Sequence, residues 1–167
     1  MNIRAEREED RAAVHVVNRA AFETATEANL VDVLRAQAQP VVSLVAELDG
    51  SIVGHILFSP VTLSGRPELR IMGLAPMAVV PEQQRKGIGS ALVRAGLEEC
   101  KRIRAGAVVV LGHAEYYPRF GFLPAARFGI RCEYDVPEDV FMALEIEPDF
   151  LQGVSGTISY HAAFSSA

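Results

Sequence analysis

Between Met77 and Leu92 the chain reads Met-Ala-Val-Val-Pro-Glu-Gln-Gln-Arg-Lys-Gly-Ile-Gly-Ser-Ala-Leu. A β-rich run ends at a proline, crosses a polar turn and enters a helix through Gly87 and Gly89. The first four amides of a helix lack intrahelical partners, and the aligned peptide dipoles place roughly half a positive charge there. Such a junction is a site for phosphate. Without a Cβ at Gly87 and Gly89 an anion can approach the backbone closely, and Arg85 and Lys86 add full charges at the rim. The amides of Arg85, Lys86, Gly87, Ile88, Gly89 and Ser90 are the expected contacts for a pyrophosphate.

The spacing narrows the ligand. A dinucleotide turn needs a third glycine where this chain has Leu92, and a nucleoside-triphosphate loop needs a Gly-Lys-Ser/Thr triplet that is absent. What remains is Gln84-x-x-Gly87-x-Gly89, in which Gln84 serves either as a hydrogen-bond donor to the ligand or as a turn residue. Downstream stands Tyr116-Tyr117-Pro118-Arg119-Phe120-Gly121-Phe122. Taken alone, its two tyrosines read as packing residues with their hydroxyls at the surface.

In this order the two motifs resemble those of the GNAT superfamily of N-acetyltransferases, whose acetyl-coenzyme A signature is Gln/Arg-x-x-Gly-x-Gly/Ala. A tyrosine ahead of a Gly-Phe pair is common in that superfamily, and Tyr117 holds the place. The likeness in organisation covers roughly Ile3 to Phe122. Leu74-Ala75-Pro76-Met77-Ala78-Val79, the Tyr116 block and the tail with Phe141-Met142-Ala143-Leu144 are similar to a subgroup of predicted bacterial acetyltransferases. The resemblance implies acetyl-CoA as co-substrate, no metal, and direct transfer of the acetyl group to an amine acceptor in a ternary complex. It implies a GNAT-like α/β (α+β) fold: a mixed, mainly antiparallel central sheet, helices on both faces, and a splay between the fourth and fifth strands. Met77, Ala78 and Val79 would then meet the pantetheine arm, and Tyr117 would protonate the leaving thiolate. A non-catalytic acyl-CoA-binding sensor would use the same cleft; the presence of Tyr117 favours an enzyme.

An alkyl amine has a pKa near 10.4 and must lose a proton before it attacks, whereas a thiol near 8.5 leaves readily. His113, just after an apolar strand, is of a type suited to proton removal. It also fits a plain surface loop. Glu115 is the next candidate base or else a helix-start partner, and a water relay would need no dedicated base. Glu27 on an early helix and His55 in a hairpin are candidates for the acceptor side. Pro76 cannot donate to a sheet ladder, which suits a bulged or splayed strand. An amide beside it, that of Met77 or Val79, is placed to polarise the thioester oxygen.

The elements that must position these residues alternate along the chain. Ile3-Arg4 reads as a short strand, and Glu8–Ala20 and Thr26–Ala38 read as helices. Val41–Leu48 and Ser51–Leu63 form a hairpin about Asp49-Gly50. A strand from Leu69 to Val80, a helix from Gly87 to about Arg104 and a buried strand from Ala107 to Leu111 imply a parallel crossover. Gly96 in mid-helix costs up to about 1 kcal/mol against alanine, which points to close packing there. A short helix over Ala114–Phe120 and strands near Leu123–Cys132 and Phe141–Ile146 follow, and the last twenty or so residues show no clear period.

Composition bounds the rest. At 167 residues, half of them hydrophobic, the chain suits one acetyltransferase-like domain, with a core over 3–146 and a tail over 147–167. A net charge of −5 argues against general nucleic-acid binding. No apolar run reaches the length of a membrane span, and no signal core opens the chain. Two isolated cysteines, Cys100 and Cys132, suit a reducing cytosol and offer no zinc site, so a cytoplasmic location is expected. Phe150, Leu151 and Phe164 in the tail fit either core or a homodimer interface.

Overall fold

A computed structural model describes residues 1–166. The elements are β1 (Asn2–Ala5), α1 (Arg11–Phe22), α2 (Thr26–Gln37), β2 (Val42–Leu48), β3 (Ser51–Leu63), β4 (Arg66–Val79), α3 (Ile88–Arg102), β5 (Ala107–Leu111), β6 (Leu123–Pro124), β7 (Ile130–Cys132), β8 (Phe141–Glu145) and β9 (Gly156–Ser159). The sheet runs in the order β1-β2-β3-β4-β5-β8-β6, while β9 joins the far end of β3 and pairs with β7. Pairing is antiparallel except for β4–β5 and the short β7–β9 contact. Helix α3 is the crossover between the two parallel strands β4 and β5.

Side-chain alternation along the strands sends each sheet face to its own helices. Ile56 and Phe58 of β3 pack with Leu92 and Val93 of α3 on one face. Leu57 of β3 and Val45 of β2 meet Val14, Val31 and Leu34 from α1 and α2 on the other. A third apolar cluster, with Val109, Ala143, Leu151 and Ile158, closes the far end. Leu151 and Ile158 are fully buried, so the tail completes the sheet and its core.

One place in this sheet comes apart. The β4–β5 ladder runs from Ile71↔Ala107 to Leu74↔Val110 and stops, although β4 continues to Val79. Against β3, Ile56 faces Met77 while Phe58 faces Leu74, so β4 carries an extra residue at Ala75-Pro76. A proline cannot donate to the ladder, and the bulge turns the strand away from β5.

Several boundaries differ from expectation. The turn at Glu8–Asp10 is a 3-10 segment, and α1 starts at Arg11. The Asp10 carboxylate there accepts hydrogen bonds from the Arg7 amide at 2.7 Å and from both terminal nitrogens of Arg4. Gly87 lies outside α3 as its N-cap, and Arg104, at φ 64°, turns the chain away beyond its end. Only Tyr117–Phe120 of the short helix is helical, as a 3-10 turn ended by Gly121 at φ 101°. The strand expected near Leu123–Cys132 is two fragments that join different partners, separated by a 3-10 turn over Ala125–Phe128 and by Gly129 at φ 76°. Among the described residues no helix is long and apolar enough to cross a membrane.

Candidate active site

Where β4 leaves β5, it opens a cleft with two ends. At the first, Val79, Arg85, Gly87, Gly89 and Ser90 line a hollow of about 370 Å³ together with Tyr116 and Arg119. Gly87 sits at φ 86°, a conformation natural to glycine, and a Cβ there would meet nothing within 4 Å. No side chain caps α3 and its first turn holds no acidic residue, so the early amides of Ile88, Gly89 and Ser90 face the hollow without competition.

Two residues complete this end that the sequence did not single out as ligands. The Tyr116 hydroxyl lies 2.9 Å from Ser90 Oγ, tying the chain after β5 to the start of α3. The Arg119 guanidinium lies 4.4 Å from the Tyr116 ring centroid, and its Nε donates to the Tyr116 carbonyl at 2.8 Å. The signal was the three-residue spacing of Tyr116 and Arg119 on one short turn, which stacks the cation on the ring. Gln84 is engaged locally: its Nε2 donates to the Val79 carbonyl at 2.9 Å and holds the turn. Lys86 reaches Gln83 Oε1 at 3.3 Å, and it does not line the hollow.

The second end is larger, about 590 Å³, and lies between the diverging strands and α2. Pro76 and Met77 of β4, Gly112 and His113 beyond β5, Tyr117 and Glu27 contribute to its walls. The Met77 side chain reaches toward the first end, its Cε and Sδ lying 3.5 and 3.6 Å from a Cβ placed on Gly89. The Val80 amide donates to Val53 of β3 at 2.9 Å. By strand alternation the Met77 and Val79 amides therefore point to the open side of β4, while that of Ala78 points to β3. The Ala78 side chain is buried opposite His55, so Ala78 offers the cleft neither side chain nor amide.

Tyr117 is buried, its ring edge-on to Tyr116 and Phe122 at centroid distances of 5.1 and 5.7 Å. Burial, and then the neighbouring Tyr116, push its phenol up to about 12. At neutral pH it is a proton-bearing donor. His113 is exposed on the cleft wall, whereas Glu115, also exposed, does not line it.

His55 does not reach the cleft. It is fully buried, with Nδ1 3.1 Å from Asn18 Nδ2 and Nε2 2.8 Å from Ser43 Oγ. Asn18 donates to Nδ1, so Nε2–H donates to Ser43, whose hydroxyl in turn donates a hydrogen bond to Glu6 Oε1 at 2.8 Å. Burial, and then the Arg35 charge, hold this imidazole down at about 3. It is a neutral core residue joining β2, β3 and α1. Glu27 does line the cleft. Among the described residues no group of three or more His, Cys, Asp or Glu is placed to hold a metal ion.

Known proteins share both the sequence and this architecture. The profile described as the acetyltransferase (GNAT) family matches residues 6–122. The uncharacterized N-acetyltransferase YhbS of Escherichia coli K12 is 36% identical over 166 residues, 99% of each chain. The uncharacterized N-acetyltransferase YjhQ of the same strain is 39% identical over 153 residues, 86% of this chain and 84% of that one. The crystal structure of YhbS in complex with CoA superposes with a TM-score of 0.92 at 35% identity, covering 98% of this chain and 91% of that chain. A GNAT family acetyltransferase from Brucella melitensis, in complex with acetyl-CoA, gives a TM-score of 0.80 at 38% identity and covers 98% and 97%. Agreement of sequence and backbone over nearly the whole length makes this chain a member of the acetyltransferase (GNAT) family.

Proposed function

We propose that the chain is a single-domain acetyl-CoA-dependent N-acetyltransferase that moves the acetyl group directly from the thioester to an amine. The observation that carries this reading is the joining of two features in one cleft. An uncapped glycine-led helix start lies at one end, and a buried, protonated tyrosine stands beside a splayed strand at the other. The two E. coli and Brucella structures that hold CoA and acetyl-CoA support the cofactor assignment.

In this reading the amides of Ile88, Gly89 and Ser90 bind the pyrophosphate, and Arg119, stacked on Tyr116, adds the full positive charge. The free amides of Met77 and Val79 hold the pantetheine arm, and one of them polarises the thioester carbonyl. The amine arrives as an ammonium ion and loses one proton to His113 or through water to bulk. Its lone pair then forms the N–C bond as the C–S bond breaks, and the second nitrogen proton passes through water to restore the Tyr117 phenol. Tyr117 donates a hydrogen bond, and finally a proton, to the departing sulfur. Its phenol is a weaker acid than a thiol, so its contribution is greatest while negative charge develops on sulfur.

The test is a thiol-release assay with acetyl-CoA and a panel of amines, with mass spectrometry of the product. Amine-dependent thiol release with an N-acetyl product supports the reading. Acetyl-CoA binding with no acetyl transfer to any amine contradicts it and leaves a binding module in its place.

A further inference from the structure

At the end of the cleft away from the glycine turn, a carboxylate oxygen lacks a partner. Glu27 lies in the first turn of α2, and its Oε2 is buried with no hydrogen-bond partner among the described residues. Leaving a buried acceptor unsatisfied is costly, and more so when it is charged. Such an atom in a cleft wall is a position prepared for a donor. On the α2 side Phe22, Leu30, Pro76 and Phe164 share the cleft with Glu27, the polar groups His113 and Tyr117 stand across it, and among the described residues no lysine or arginine and no second carboxylate lines it.

We propose that the acceptor is a small primary monoamine on an apolar body that carries no carboxylate. Its nitrogen is held by Glu27, and its body lies among Phe22, Leu30 and Phe164. This rests on the acetyl-transfer reading above and names the substrate class for it. An amino acid would bring its own carboxylate beside Glu27 with no cation to pair it. A polyamine or aminoglycoside would bring further ammonium groups into a wall that offers a single carboxylate. A neutral apolar body satisfies the wall, and one nitrogen satisfies Oε2.

The experiment compares phenethylamine and hexylamine with phenylalanine, spermidine and a short peptide at saturating acetyl-CoA, in the wild type and in Glu27→Gln. Glu27 Oε2 has no hydrogen-bond partner within the described structure, and the amide variant keeps the side chain's shape. The expected kcat/KM for phenethylamine exceeds that for phenylalanine by about 100-fold or more, the scale on which an unpaired buried polar group discriminates. Glu27→Gln should lower kcat/KM for phenethylamine by about 10-fold or more, mostly through KM, as loss of a charged hydrogen bond requires. Its affinity for acetyl-CoA should stay at the wild-type value by calorimetry. Turnover confined to phenylalanine, spermidine or the peptide, or an unchanged KM in Glu27→Gln, overturns this inference and leaves the transfer reading standing. Absence of acetyl-CoA binding by the wild type, or binding with no release on any amine, overturns both.

Discussion

The ring of Tyr117 lies on the backbone of Gly112: a Cβ built on Gly112 would stand 2.3 Å from Tyr117 Cε2. Gly112 directly follows β5, so the absence of a side chain there sets how deep the phenol sits in the cleft. Gly112→Ala should push the ring out and lower kcat by at least about 10-fold, since small misplacement of a catalytic group is costly. Acetyl-CoA affinity should change little. Steady-state kinetics beside calorimetry separates these effects, and an unaltered kcat would show that the position of the ring is immaterial.

Removing only the phenolic oxygen is the complementary change. Tyr117→Phe keeps the aromatic contacts with Tyr116 and Phe122. It should lower kcat by about 100-fold or more, the usual contribution of a positioned acid, and raise the cofactor KM much less. Turnover at the wild-type rate would return Tyr117 to a packing role.

Gly96 tests the packing beneath α3. A Cβ there would lie 2.2 Å from Phe58 Cε1, a core ring with no exposed surface. Alanine gains up to about 1 kcal/mol of helix propensity, but overpacking a filled core costs about 1–3 kcal/mol. Gly96→Ala should therefore be less stable in denaturant unfolding, and a stabilised variant would mean that Phe58 has room to move.

Acid should weaken the fold through His55. Its pKa is about 3 in the folded chain against an ordinary 6.5, so the unfolded chain binds the extra proton between those values. The stabilisation from keeping it neutral is complete above about 6.5 and is lost as pH falls toward 3. Asp10, held at about 2 chiefly by its hydrogen bond to Arg4, adds a loss that begins below its ordinary value of 3.8. His55→Gln, which cannot titrate, should show a flatter fall in Tm between pH 7 and 4, whatever its Tm at pH 7. A parallel slope in both proteins would locate the acid sensitivity elsewhere.

Much of this was legible before the structure, and for local reasons. The hairpin at Asp49-Gly50, the extent of Ser51–Leu63 and the strand Ala107–Leu111 follow from turn chemistry and apolar runs, and all three are found as read. The packing behind Gly96 was announced by a glycine in mid-helix. Long-range partners were not legible. His55 reads as a polar residue facing a substrate until Asn18 and Ser43, distant in sequence, arrive on either side of its ring. The segment over Leu123–Cys132 has strand composition, yet the turn at Gly129 divides it between β8 and β9. Arg119 was visible only as part of a motif, because its stacking on Tyr116 depends on a 3-10 turn.

In the proposed function the glycine turn at the start of α3 holds the pyrophosphate of acetyl-CoA, and every other role depends on that placement. Calorimetry of acetyl-CoA with the wild type, Gly89→Ala and Gly89→Asp tests it most directly. A Cβ on Gly89 meets nothing nearer than Met77 and Tyr116 at 3.5 Å, so alanine fits without strain. The aspartate would place a carboxylate where the phosphate belongs. Binding by the wild type and by Gly89→Ala, with none detectable in Gly89→Asp, is the predicted result. Retained binding in Gly89→Asp at wild-type affinity would contradict the placement of the cofactor and the account built on it.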